Sequence, residues 1–199
     1  MAPPLNMHDS IPWKNDLRKE IARIRKIQTS PPRTPTGAEI FLIEKFLFVS
    51  SYIIRKLIEN NKVSDELEGR KFPLKYATVK DFDATCDYLS RRNFLKNYHF
   101  KKRTTLQLDI GRLINIFIHS YIFCISLHAI KAKDDARRIE IIVTSDWDKR
   151  RLYFVNLANY IKICELIIKD QVLYMQVGTT PGKRYRTLLI KSRKRSGAK

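Results

Sequence analysis

Apolar residues recur along this chain first at helical and later at strand spacing. Leu17, Ile21, Ile24 and Ile27 or Gln28 stand three to four residues apart, which predicts a helix over Trp13–Gln28. The three prolines of TSPPRTP (Thr29–Pro35) end it in an extended linker. Thr36 with Glu39 forms a T-x-x-E capping box and opens a second helix to about Asn60. Ile40, Ile43, Phe46, Leu47, Ser50, Ile54, Leu57 and Ile58 follow one face of it, and Phe41, Phe48 and Tyr52 widen that face. A helix so apolar in girth belongs in a core or buries a partner. Asn60–Ala77 is rich in turn formers and ends in a short extended piece, Phe72–Tyr76, which Pro73 predicts at a sheet edge. Thr78 with Asp81 predicts a further helix from Val79 to about Asn97, with Phe82, Cys86, Leu89 and Phe94 inward. Asp81, Asp83 and Asp87 suit the dipole of its first turns.

The most apolar stretch, Leu106–His128, is read as a helix running into a strand. Capped by Thr104 or Thr105, the helix would gather Leu106, Ile110, Leu113, Ile114, Phe117 and Ile118 on one face. Asp109, Arg112, Asn115 and His119 fall on the other. From Tyr121 the content turns β-branched and aromatic. Strands are predicted at Tyr121–Leu127, Ile139–Thr144, Arg151–Val155, Val172–Val177 and Arg184–Ile190. SDWDKR (Ser145–Arg150) and GTTPGK (Gly178–Lys183) read as hairpin loops, and Asn156 caps a helix to Asp170. The expected fold is α+β, an N-terminal layer of three to four helices followed by a mainly antiparallel sheet with one inserted helix. The expected organisation is an arm, helix and proline-rich linker over 1–35, a single domain over 36–191 and a basic tail over 192–199.

Length and composition allow a real core, with 199 residues and 44% hydrophobic content. Charge changes the picture, because the chain carries a net +19. Arg91–Arg103 holds six Lys/Arg and no acid, and Lys183–Lys199 holds eight and no acid. Such a field favours RNA, DNA or an anionic membrane surface. Cys86, Cys124 and Cys164 are too sparse for a zinc site or a disulfide framework, so free thiols in a reduced, cytoplasmic setting are expected. The N-terminal residues lack the apolar core of a secretory signal. Polar interruptions at Asn115, His119, Ser120, Ser126 and His128 argue against membrane insertion of the apolar stretch.

Within RRNFLKNYHFKKR, cations alternate with rings, so Arg91, Arg92, Lys96, Lys101, Lys102 and Arg103 would meet phosphates while Tyr98 offers a stacking face. Arg184, Arg186, Arg193, Lys194 and Arg195 form the second cationic stretch. A different chemistry is open to the polar stripe: Arg112 could hold a phosphate, His119 act as acid or base, and Asn115 orient it. Arg112 to His119, and Arg92 to His99 with Asn93 after the arginine, each resemble the Arg-x4–6-His motif of the RNA-cleaving HEPN domains. That resemblance implies metal-independent ribonuclease activity. The β-rich second half departs from that all-helical family. No phosphate-binding glycine loop, GxSxG or HExxH is present, and no metal or cofactor is expected. The leading expectation is a non-enzymatic nucleic-acid-binding protein. The others are the ribonuclease and an interaction module that pairs with itself through the Thr36–Asn60 helix.

Overall fold

In the computed structural model, residues 9–29, 35–81, 94–128, 138–178 and 186–192 are described. Helix α1 (Ile11–Thr29) and α2 (Gly37–Glu59) come first, with the short α3 (Asp65–Glu68) after them. Strands β1 (Phe72–Thr78) and β2 (Thr104–Leu108) precede α4 (Ile110–Ile118). Then follow β3 (Ser120–His128), β4 (Arg138–Ser145), β5 (Arg151–Asn156), α5 (Leu157–Lys169), β6 (Val172–Gly178) and β7 (Arg186–Ser192). The first five strands form an antiparallel sheet in the order β2-β1-β5-β4-β3, and β6 and β7 pair as a separate antiparallel hairpin. The fold is therefore α+β, with helices first and a helix inserted in the antiparallel strands.

Local signals account for most boundaries. The Thr36 side chain accepts from the Glu39 amide at 3.2 Å, and the Glu39 carboxylate accepts from the Thr36 amide at 2.9 Å. Asn156 caps α5 by accepting from the Asn159 amide at 3.1 Å. One face of the sheet, including Leu74, Ile139, Ile141, Val143, Tyr153 and Val155, is buried with the helices. The other face, including Ala77, Ile122, Ile142, Leu152 and Phe154, is covered by Phe94, Tyr98 and Phe100. Tyr160 of α5 is the hub on the helical side, with ring contacts to Phe46 at 5.9 Å and Phe117 at 5.1 Å.

Three expectations are corrected. The helix of the central stretch begins at Ile110, not Leu106, because Thr104–Leu108 pairs with β1 and Asp109 provides the cap. Val79 does not open a helix; it bridges to Tyr98, and residues 94–96 form a single 3₁₀ turn. β1 is an inner strand despite Pro73, which is tolerated because β5 pairs only with Lys75–Thr78. Leu17, Ile21, Ile24 and Ile27 of α1 enter the common core, and Lys14 donates to the Asp170 carbonyl. Most of the Pro-rich linker, the middle of the expected 79–97 helix with Cys86, the 179–183 loop and the basic tail from 193 lie outside the described residues.

Burial sets the response to alkali. It pushes the hydroxyls of Tyr153 and Tyr160 and the thiols of Cys124 and Cys164 up, so each stays protonated in the fold. A raised folded pKa contributes stability below the unfolded value and loses it as pH climbs. Unfolding free energy should thus fall from about pH 8.5 to above about pH 10, the unfolded thiol and phenol range. Burial lowers the Lys14 pKa, which acts in the opposite sense but as one group against four. Urea titrations at several alkaline pH values check this, and Cys164→Ala should flatten the slope.

Candidate nucleic-acid interface

The end of the sheet at which β1 finishes gathers three distant segments. The Val79 amide donates to the Arg150 carbonyl at 3.0 Å, and the Lys80 amide to the Asn97 carbonyl at 2.8 Å. The His99 amide donates to Thr78 at 2.8 Å, and the Tyr98 hydroxyl to the Lys149 carbonyl. These bonds fasten the 97–99 segment between β1 and the β4–β5 turn. His119 arrives from the other side, its carbonyl accepting from the Asp146 amide at 2.8 Å.

The turn itself, Asp146–Arg150, is braced from within. Thr144 Oγ1 donates to the Asp148 carbonyl at 3.0 Å, and the Asp148 amide donates to Ser145 Oγ at 3.2 Å. The Tyr153 hydroxyl donates to the Asp148 carboxylate. On this fixed turn Trp147 is 57% exposed. A β-bulge falls at Tyr121, between Ser120 and Ile122, and the Lys149 ammonium lies 4.2 Å from the Tyr121 ring centroid. Lys80, Lys96, Lys101 and Lys102 are all exposed along the joined segments. The exposed lysines and the exposed indole are thus carried on or beside segments joined at this end of the sheet.

The residues expected from sequence divide sharply. Lys96, Lys101 and Lys102 are exposed here. Tyr98 is 1% exposed, so its ring belongs to the core and offers no stacking face. Arg103 is also structural: it pairs with Glu140 at 2.8 Å and lies 3.8 Å from the Phe154 ring centroid. Arg91, Arg92, Arg184, Arg193, Lys194 and Arg195 lie outside the described residues, and Arg186 is placed only by its backbone at the start of β7. β7 runs beside α3, which precedes the opposite end of β1.

Arg112, Asn115 and His119 share a face of α4 without converging. Asp109 caps the helix by accepting from the Arg112 amide at 2.8 Å, and also takes Lys71 at 2.9 Å. Arg112 Nε is 3.7 Å from the same carboxylate. Burial works to raise the Asp109 pKa, but the Lys71 ammonium, the Arg112 amide and the nearby positive charges hold it below the ordinary range. His119 is the C-cap, roughly 10 Å along the axis from Arg112. Its Nδ1 is 3.9 Å from the Asp146 carboxylate. Each end of the stripe thus faces its own carboxylate. His99 is exposed beside Lys101 and Lys102.

Sequence reading missed Trp147, Lys149 and Lys80. The first two stand in SDWDKR, where an indole and two cations share one short turn. Among the described residues no group of three or more His, Cys, Asp or Glu could hold a metal, and no helix is long and apolar enough to cross a membrane. Compared with family models, with curated proteins and with solved structures, the chain matches none.

Proposed function

We propose that this protein binds single-stranded nucleic acid at the β4–β5 end of the sheet, without cleaving it. The observation that carries the reading is the bonding that joins Thr78–Lys80, the 97–99 segment and the β4–β5 turn at one end of the sheet, segments that carry or adjoin exposed Lys80, Lys96, Lys101 and Lys102 and exposed Trp147. Lysines on this end neutralise successive phosphates, which gives affinity with little sequence preference. The indole adds a stacking face open to any unpaired base, the role that buried Tyr98 cannot fill. Duplexes hide their bases and gain only the charge contribution.

The test is fluorescence anisotropy of labelled single-stranded RNA, single-stranded DNA and duplex DNA, each across a salt series. Affinity for the single strands should exceed that for duplex and fall steeply between about 50 and 200 mM salt. Binding that stays flat over that range contradicts the proposal.

One observation supports a second reading, metal-independent RNA cleavage: His119 is exposed and has Asp146 beside it to orient the imidazole. RNA incubated with the protein in chelator, beside His119→Ala and His99→Ala, separates the two. Intact RNA in all tubes rejects cleavage and leaves binding standing.

A further inference from the structure

The sheet is incomplete where β5 leaves it. β5 pairs with β1 only opposite Lys75–Thr78, then turns at Asn156 into α5. Phe72–Leu74 are therefore held by β2 on one side and face a gap on the other. That gap is a cleft of about 920 Å³ between β1 and α5, within the size range of small-molecule sites. Residues from Asn156 to Lys169 line it, so it follows α5 for roughly 20 Å.

The lining has two chemistries. Phe72, Leu74, Leu108, Phe154, Ile163 and Leu166 make an apolar floor. Arg70, Lys75, Lys162 and Lys169 stand exposed on the rim, and among the described residues none pairs with a carboxylate. The two acids of the lining are already engaged, Glu140 by Arg103 and Glu165 by Arg25. Positive charge at the mouth of an apolar groove is complementary to one kind of small molecule.

We propose that this cleft binds a small amphipathic anion, with an acyl or aromatic body on the apolar floor and a carboxylate or phosphate at the rim cations. The four rim cations attract an anionic head group and repel a cationic one. The cleft is centred on the start of β1 and on α5, away from the Thr78–Lys80 junction, and its lining adjoins the 101–102 segment through Arg103.

The experiment titrates the full chain with 8-anilinonaphthalene-1-sulfonate, an aromatic anion that emits when shielded from water. One saturable site is expected. Decanoate and decyl phosphate should displace the dye, and their ranking tells carboxylate from phosphate; decyltrimethylammonium should not. Lys162→Glu with Lys169→Glu, both exposed, should weaken dye binding about tenfold with an unchanged unfolding midpoint. Thr105→Trp, from an exposed lining position, should block the groove without altering charge. The proposal is overturned by non-saturating emission, by equal competition from decyltrimethylammonium, or by both variants binding like the wild type. Displacement of the dye by single-stranded RNA would place it at the other end of the sheet and overturn it too, whereas loss of RNA binding alone would leave it intact.

Discussion

Tyr160→Ala should destabilise the protein by about 4 kcal/mol, the range for removing a buried aromatic ring from a close-packed core. The ring is fully buried between Phe46 of α2 and Phe117 of α4, so its loss opens a cavity where three helices meet. Its hydroxyl also joins Ser50 at 2.9 Å and Ser51 at 2.8 Å. Ser50 keeps the Leu47 carbonyl at 3.3 Å, while Ser51 loses its tyrosine partner inside the core. Tyr160→Phe separates the two effects, because it keeps the ring and removes the hydroxyl. That variant should cost only about 1–2 kcal/mol. Urea unfolding followed by far-ultraviolet circular dichroism measures both. A loss below about 1 kcal/mol for the alanine variant would mean that α5 is not packed through this ring.

The triple charge reversal Lys96→Glu, Lys101→Glu, Lys102→Glu should weaken single-strand binding by on the order of a hundredfold at about 0.1 M salt. Each phosphate contact on a single strand contributes about 0.7 to the slope of log affinity against log salt. Three lost contacts reduce the slope by about 2, which at about 0.1 M is roughly two decades of affinity. All three side chains are exposed, so the unfolding midpoint should hardly move. Anisotropy at several salt concentrations gives affinity and slope together. A weaker complex with the original slope would mean that the lysines shape the surface without touching phosphate.

Legibility in the sequence followed the range of the interaction. The Thr36–Glu39 box, the Asn156 cap and the strands after Tyr121 were readable because neighbours within four residues, or a simple alternation, decide them. The start of α4 was not, because TTLQL fits a helical wheel as well as a strand. Its fate is decided by pairing with β1, some thirty residues earlier in sequence (Leu74 opposite Leu106). The same long-range choice placed Val79 against Tyr98 in place of a helix start. At the candidate site, composition located the lysines of 96–102 but could not say which rings faced water. Tyr98 became a core group and Arg103 a half-buried one through partners fifty-one and thirty-seven residues away, while Trp147 took the exposed role from a turn. Burial of a ring depends on what covers it, and the covering segment is a tertiary fact.

The most direct test of the proposed nucleic-acid binding uses the indole itself. The chain has two tryptophans, Trp13 on α1 and Trp147 on the β4–β5 turn, so Trp147→Phe leaves Trp13 as a built-in control. Titrating single-stranded RNA into the wild type at low salt should quench tryptophan emission in step with the anisotropy of the labelled strand, and Trp147→Phe should bind more weakly with its remaining emission unchanged. Binding without any quenching in the wild type, or equal quenching in Trp147→Phe, would contradict a base stacked on this turn.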